Sequence, residues 1–359
     1  MAEKVLVAMS GGVDSSVAAY LLQQQGYECI GVTMRLYENE TAGIPRGHTC
    51  CSLDDVEDAR AVAYDLGMPY YVLNFTEEFD EKVIRKFVQV YQNGGTPNPC
   101  IDCNRYLKFD HLLNRARELG CDYIATGHYV QRWQDENGRW GLRKNDDPGK
   151  DQSYVLYSLT QDQLAHTLFP LGGMHKDAVR AVAEEQGLCN ARKHDSQDIC
   201  FVPDSDYASF IRRRTGKDYP SGNFVLADGT VLGKNKGVIS YTVGQRKGLG
   251  VSYKIPLYVC GIDPANGNIT LGSESELYSR VLYARDVNLI SVPEIKGKMY
   301  VTAMVRYRGR EEKATVTDEG DGVIKLVFDK PQRAVTKGQA VVMYDGDTVV
   351  GGGTICKVG

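Results

Sequence analysis

Residues Ser10-Gly11-Gly12-Val13-Asp14-Ser15-Ser16 combine adjacent glycines with hydroxyls and one carboxylate. Glycines let a backbone approach an anion closely, and the free N–H groups at a helix start, with the helix dipole, favour negative charge there. A phosphate chain is the guest such a loop suits. No Lys-Ser/Thr pair closes it and the glycine spacing differs from Walker A, so it is not that arrangement. Sulfur chemistry is the second possibility. In Thr96-Pro97-Asn98-Pro99-Cys100-Ile101-Asp102-Cys103-Asn104-Arg105, the prolines and Asn98 predict an irregular loop that presents two thiols in a C-x-x-C arrangement. A third thiol, Cys200, lies between the polar stretch Lys193-His194-Asp195-Ser196-Gln197-Asp198 and the apolar Ile199 and Phe201. Arg192, Lys193 and His194 are near enough in sequence to lower its pKa and favour the nucleophilic thiolate.

These residues need a scaffold, and the chain supplies a regular one. The glycine loop follows the apolar run Val5–Met9 and enters the helical pattern Val17–Leu22, which reads as strand, loop, helix. Further strands are expected at Glu28–Met34, Tyr70–Asn74 and Tyr123–Thr126, and helices at Ser15–Gln25, Leu53–Leu66, Phe79–Gln92 and Asp110–Leu119. Gly26, Gly67 and Gly120 stand just beyond helices, as stop signals do. Such alternation predicts a doubly wound parallel sheet, whose ligands gather outside the carboxyl ends of the strands. The glycine loop, Met34 and Gly127-His128 all meet there.

Beyond about Asp204 helical periodicity gives way to Gly, Thr, Val and Tyr. The stretch Gly222–Thr270, with turn signals Asp228-Gly229 and Asn266-Gly267, predicts a small β-rich domain. Strands at Val301–Tyr307, Glu312–Val316, Val323–Phe328, Ala340–Tyr344 and Thr348–Gly351 predict a closing barrel, with a boundary near Tyr278–Asp286. The fold class is therefore α/β plus β, in three domains: 1–204, 205–280 and 281–359.

A chain of 359 residues exceeds what one core organises, consistent with that division. No apolar stretch nears the roughly 20 residues that span a bilayer, and no signal-peptide pattern opens the chain, so a cytoplasmic protein without a membrane partner is expected. Cysteines in a reducing compartment gain weight as catalytic, redox or metal groups. Net charge is −4, which gives no global pull on nucleic acid and leaves that to local patches such as Arg212-Arg213-Arg214 and Gln245-Arg246-Lys247.

The glycine loop resembles the SGGxDS signature of the PP-loop ATP pyrophosphatases, which split ATP between the α- and β-phosphates. With TPNPCIDCN, Thr126-Gly127-His128-Tyr129, Lys150-Asp151-Gln152-Ser153-Tyr154, Asp195–Phe201 and Thr242–Leu249, the motifs resemble, in order and across nearly the whole chain, the bacterial tRNA-specific 2-thiouridylases, the MnmA family. The resemblance implies an adenine-nucleotide α-hydrolase-like PP-loop domain, a small central domain and a C-terminal β-barrel. It implies an ATP-dependent sulfurtransferase that adenylates the C2 oxygen of the wobble uridine in tRNA and replaces it with sulfur. Ala8, Met9, Ser10, Gly11, Gly12, Val13, Asp14, Ser15, Ser16, Met34 and Gly127 correspond to its ATP positions, with Mg²⁺ on the phosphates. Cys200 corresponds to the persulfide carrier, loaded by a sulfur-carrier protein or cysteine desulfurase, and Cys103 to the partner thiol. Asn98, His128, Lys150, Asp151, Gln152, Arg306, Tyr307 and Gln339 correspond to tRNA-contacting positions, on a protein expected to be monomeric.

One position departs from the pattern. Where many relatives carry an aspartate three residues before the catalytic cysteine, this chain has Cys100. Cys100, Cys103 and Cys200 then resemble the cluster-binding variant of tRNA thiolation enzymes, in which three thiolates hold a [4Fe–4S] cluster with one iron open; a small packed side chain at Cys100 is the alternative. Cys29, Cys121, Cys260 and Cys356 read as packed residues, and His48 with Cys50-Cys51 as loop surface. Two other functions stay open: a small-molecule PP-loop ligase, which has no use for the thiols, and a non-catalytic metal- or RNA-binding protein with a vestigial loop.

Overall fold

The computed structural model describes residues 2–37, 53–193 and 199–359. Compactness divides the chain into two units: residues 1–83, 100–205 and 347–350 form one, and residues 84–99, 206–346 and 351–359 the other.

The first unit is built on a parallel sheet in the order β3-β2-β1-β4-β7, from Lys4–Ala8 (β1), Glu28–Arg35 (β2), Tyr70–Asn74 (β3), Tyr123–Ala125 (β4) and Thr167–Leu168 (β7). The run Val5-Leu6-Val7 is fully buried because a central parallel strand is covered on both faces. Helices α1 (Val13–Gln24) and α2 (Leu53–Asp65) pack on β1 and β2 through Val17, Ala18, Leu22, Ala59, Val62 and Ala63. The chain leaves β1 toward β2 on one side and returns to β4 on the other. A crevice therefore opens at the carboxyl ends of β1 and β4, where the strand order reverses. A hairpin, Gln131–Gln134 (β5) and Trp140–Arg143 (β6), adds to this unit, and Arg143 pairs with Thr348.

Two helices carry π-helical segments. One, here α3, runs as Thr76–Phe79, the π turn Asp80–Ile84 and Arg85–Gln92; the other, α4, as Pro99–Asp102, the π stretch Cys103–His111 and Leu112–Glu118. The cysteine segment, expected to be an irregular loop, is thus the opening of a helix. Proline fits a first helical turn, where its missing N–H is not needed, so Pro99 starts the helix instead of interrupting it.

Lys176–Glu185 (α5) and Tyr207–Thr215 (α6) follow. In the second unit, Asn223–Val225 (β8), Val231–Lys234 (β9), Tyr258–Ile262 (β10) and Ile269–Gly272 (β11) make a small sheet, with Phe224, Tyr241, Val259, Ile269 and Leu271 in its core. Tyr278–Leu289 (β12), Met299–Met304 (β13), Glu312–Asp318 (β14), Ile324–Arg333 (β15), Ala340–Asp345 (β16) and Thr348–Val358 (β17) form an antiparallel barrel closed by β12 on β17. The barrel's first strand, β12, begins within the Tyr278–Asp286 stretch near which the boundary was expected. Among the described residues no helix is long and apolar enough to cross a membrane.

Candidate active site

The glycine loop turns at the mouth of the crevice. Gly11 adopts a left-handed φ of +73°, and a Cβ there would lie 2.3 Å from the carbonyl oxygen of Asp55, so α2 sits directly against it. Gly12 is different. It is extended, at φ −92°, and caps α1 without a side-chain hydrogen bond. Among the described residues, a Cβ on it would meet nothing nearer than Ser10 Oγ at 3.6 Å, an ordinary contact distance. Inside the turn, Ser15 Oγ and Ser16 Oγ donate to the Gly12 carbonyl, and Ser10 N–H donates to Ser15 Oγ. The hydroxyls thus hold the loop's shape, leaving the N-terminal amides and dipole of α1 to face an anion. Gly127, at the end of β4, is held against α1: a Cβ would lie 2.8 Å from the Asp14 carbonyl carbon and the Ser15 nitrogen. Ala8, Met9 and Val13 are the buried or half-buried flanks of this turn, and Met34 is buried at the end of β2.

Two side chains absent from the sequence reading complete the loop. Lys176 Nζ, on α5, lies 2.7 and 2.9 Å from the two Asp14 carboxylate oxygens, and Tyr129 donates its hydroxyl to the same carboxylate at 2.6 Å. Asn190 Nδ2 donates to the Gly11 carbonyl at 3.0 Å and to Ser16 Oγ at 2.8 Å, while its Oδ1 is buried without a partner. Nothing local marks either residue. Lys176 opens an ordinary amphipathic helix and Asn190 lies in a turn, so only the fold brings them to the loop.

The thiols differ in setting. Cys100 is exposed, and Cys103 is half-buried on the next turn of α4. Buried Asn104 beside it donates to the Val155 carbonyl and, with Leu107 and Phe109, fixes that helix in the first unit. Cys200 is also half-buried. Its carbonyl accepts a hydrogen bond from Tyr37 Oη at 2.9 Å, and Phe201 packs edge-on against Phe79, which itself contacts the Tyr37 ring. The cations expected beside Cys200 go elsewhere. Lys193 bonds Asp55 at 2.6 Å and Asp58 at 2.5 Å, tying α2 down behind the glycine loop, and Arg192 lies 3.7 Å from Glu184. His194, the neighbouring Asp195–Asp198, His48, Cys50 and Cys51 lie outside the described residues.

Among the described residues, no group of three or more His, Cys, Asp or Glu side chains is arranged to hold a metal ion. Cys100, Cys103 and Cys200 are not gathered into the cluster set that the resemblance implied. Other thiols have packing roles: burial pushes Cys29 and Cys260 up to about 11 and raises Cys121, which keeps all three protonated at neutral pH.

The residues expected to touch RNA separate into two kinds. His128 is 8% exposed, with Nδ1 2.8 Å from Thr126 Oγ1 and its ring between Phe109 and Phe169. Burial drives its pKa well below 6.5, so it is a neutral core histidine and not a stacking surface. Asp151 accepts from Asn145 N–H and Ser153 Oγ, and Gln152 Oε1 accepts from Tyr129 N–H; both shape the turn beside half-buried Lys150. Gln339 donates to the Thr96 carbonyl and to the Pro97 carbonyl, each at 3.0 Å, and so braces the segment carrying half-buried Asn98. Arg306 and Tyr307 are exposed, in a turn beyond β13 and not within a strand, because β13 ends at Met304. Arg306 makes no ion pair with Glu311 or Glu312 among the described contacts, and Arg308 lies over the Tyr307 ring at 5.5 Å.

Comparison with known proteins gives a consistent frame. A family model described as the tRNA methyl transferase HUP domain matches residues 3–204, one described as the tRNA methyl transferase PRC-barrel domain residues 208–273, and one described as the aminomethyltransferase beta-barrel domain residues 279–355. Proteins named tRNA-specific 2-thiouridylase MnmA from Clostridioides difficile, Clostridium acetobutylicum and Acetivibrio thermocellus are each 52% identical to this chain. They cover 99%, 99% and 98% of it, and 99%, 100% and 99% of their own lengths are matched.

Proposed function

The chain belongs to the tRNA-specific 2-thiouridylases of the MnmA family, and from that premise we propose how its own residues divide an ATP-dependent sulfur transfer to tRNA. The domain-model descriptions speak of methyl transfer and the full-length relatives of thiolation. The site favours the second. Methyl transfer has no use for an anion loop, whereas replacing a carbonyl oxygen by sulfur needs that oxygen converted into a leaving group.

One observation carries this reading: a glycine turn at a helix N-terminus lies at the switch point of a parallel sheet, in the same compact unit as Cys103 and Cys200. ATP, entering with Mg²⁺ as counter-ion, places its phosphates over Gly12 and the start of α1. The uridine C2 oxygen attacks the α-phosphorus, the bond to the β-phosphate breaks, and pyrophosphate leaves. Cys200 carries the incoming sulfur as a persulfide supplied by a separate donor protein. Its terminal sulfur attacks C2 and AMP departs with the oxygen. Cys103 thiolate then attacks Cys200 Sγ, which frees the thiocarbonyl and leaves a Cys103–Cys200 disulfide. Alternatively, Cys103 attacks first and releases hydrogen sulfide as the nucleophile, with the same disulfide as product. A dithiol reductant restores the pair. No step is routed through iron, because the donor set is not assembled. Asn98, braced through Gln339, approaches the base, and Arg306 with Tyr307 meets the anticodon loop by phosphate pairing and stacking.

Mass analysis of tRNA after incubation with ATP and a persulfide donor tests the assignment. C103S and C200S are each expected to yield no 2-thiouridine, while C200S still releases pyrophosphate when tRNA is present. Full sulfur transfer by either variant would overturn the assigned roles.

A further inference from the structure

The glycine loop contains no lysine, yet a cation stands over it. Lys176 arrives from a helix 162 residues further along the chain, and its ammonium bonds both oxygens of Asp14, the second residue of α1. Lys176 is 6% exposed. The Tyr129 ring lies 5.9 Å from its ammonium. A structural role alone accounts poorly for this placement. Ammonium is normally unfavourable at a helix N-terminus, where the dipole is positive, and burying it adds a desolvation cost that its partners must offset. What the position does provide is a pre-desolvated positive charge at the first turn of α1, next to the glycine loop.

Resting on the proposed ATP-dependent reading, we infer that Lys176 is the phosphate-contacting lysine of this nucleotide site, held by Asp14 while the site is empty and turned onto the pyrophosphate portion of ATP when nucleotide enters. Asp14 acts as the holding group, and Tyr129, through its hydroxyl on the same carboxylate, keeps Asp14 in place when the lysine moves. The exchange needs no backbone motion, since a lysine ammonium on a four-carbon stem is a mobile point charge. In the reaction, that charge sits on the leaving pyrophosphate, where negative charge grows as the bond to the α-phosphate breaks. A loop without its own lysine thereby obtains one from elsewhere in the fold.

Titration of ATP and, separately, AMP into the full-length enzyme by calorimetry in the presence of Mg²⁺ tests the inference. Lys176→Met is expected to weaken ATP by about 10-fold to 100-fold, the range of a charge-assisted hydrogen bond, while AMP changes by less than about twofold. Lys176→Arg is expected to recover most of the ATP preference. Equal weakening of both nucleotides would overturn the inference, because a lysine that merely supports the fold does not distinguish them. The double variant Asp14→Asn, Lys176→Met removes both charges and leaves no unpaired half-buried carboxylate, so it stays measurable where the single variant unfolds. If it regains tight ATP binding, Lys176 serves only to neutralise Asp14 and the inference fails; persistent loss of the ATP preference supports it. Absence of ATP binding by the unaltered protein would instead refute the nucleotide reading on which this rests.

Discussion

Gly11 and Gly12 are adjacent in sequence, yet the structure gives them opposite sensitivities, and alanine at each separates folding from binding. At Gly11 the φ of +73° costs an L-residue about 1–2 kcal/mol. The added methyl would also stand 2.3 Å from the Asp55 carbonyl oxygen and 2.8 Å from two further backbone atoms of α2, which must shift. Overpacking of that kind adds about 1–3 kcal/mol, so G11A is expected to lose about 2–5 kcal/mol of stability. At Gly12 the extended backbone accepts alanine, and the nearest atom is at an ordinary contact distance of 3.6 Å. Alanine is a poorer helix cap than glycine, while the entropy removed from the unfolded chain contributes about 0.4–1 kcal/mol in the other direction. G12A should therefore unfold with the wild type. Its methyl, however, fills the space assigned to phosphate, and ATP affinity is expected to fall at least about 10-fold. Both tryptophans, Trp133 and Trp140, lie in the hairpin of the first unit, so their fluorescence in urea reports on the unit concerned. Wild-type ATP affinity in G12A would refute the placement of the phosphates, and wild-type stability in G11A would refute the role of the left-handed turn.

Gln339→Leu removes both hydrogen bonds to the Thr96 and Pro97 carbonyls; with each bond worth about 1 kcal/mol, sulfur transfer to tRNA should slow several-fold while AMP binding is unchanged. Retained thiolation would refute this bracing role. The buried His128 should make the first unit acid-sensitive. Its folded pKa lies well below the ordinary 6.5, so the unfolded chain binds the proton better; stability is complete above 6.5 and declines as pH falls from there toward the folded value. Urea midpoints for His128→Phe are expected to depend less on pH between 7.5 and 5 than those of the unaltered protein.

Features encoded locally were legible in the sequence. Val5–Met9 followed by adjacent glycines fixes strand, turn and helix within a dozen positions, and the spacing of Gly26, Gly67 and Gly120 marks helix ends by a backbone requirement that only the neighbouring residues decide. Tertiary features were not legible. Lys176 and Asn190 reach the loop across more than 160 residues, and their own surroundings describe only an ordinary helix and turn. Asp151, Gln152 and Gln339 satisfy nearby backbone groups, which sequence does not reveal, because a polar side chain in a loop can do that or face solvent. The cysteine segment was misread for a specific reason. Pro97 signals an extended chain, but Pro99 two residues later suits a helix start, and the same residue type carries both meanings.

The division into units is interleaved along the chain, and this constrains how the protein is made. Residues 84–99 belong with the barrel-bearing unit although they precede most of the nucleotide-binding one, and residues 347–350 return to the latter from within the final strand. Thr348 pairs with the hairpin at Arg143, and the rest of the same strand closes the barrel on β12. On the ribosome, neither unit can reach its finished form while the last strand is still in the exit tunnel. A stop codon ahead of that strand therefore deprives the first unit as well as the barrel.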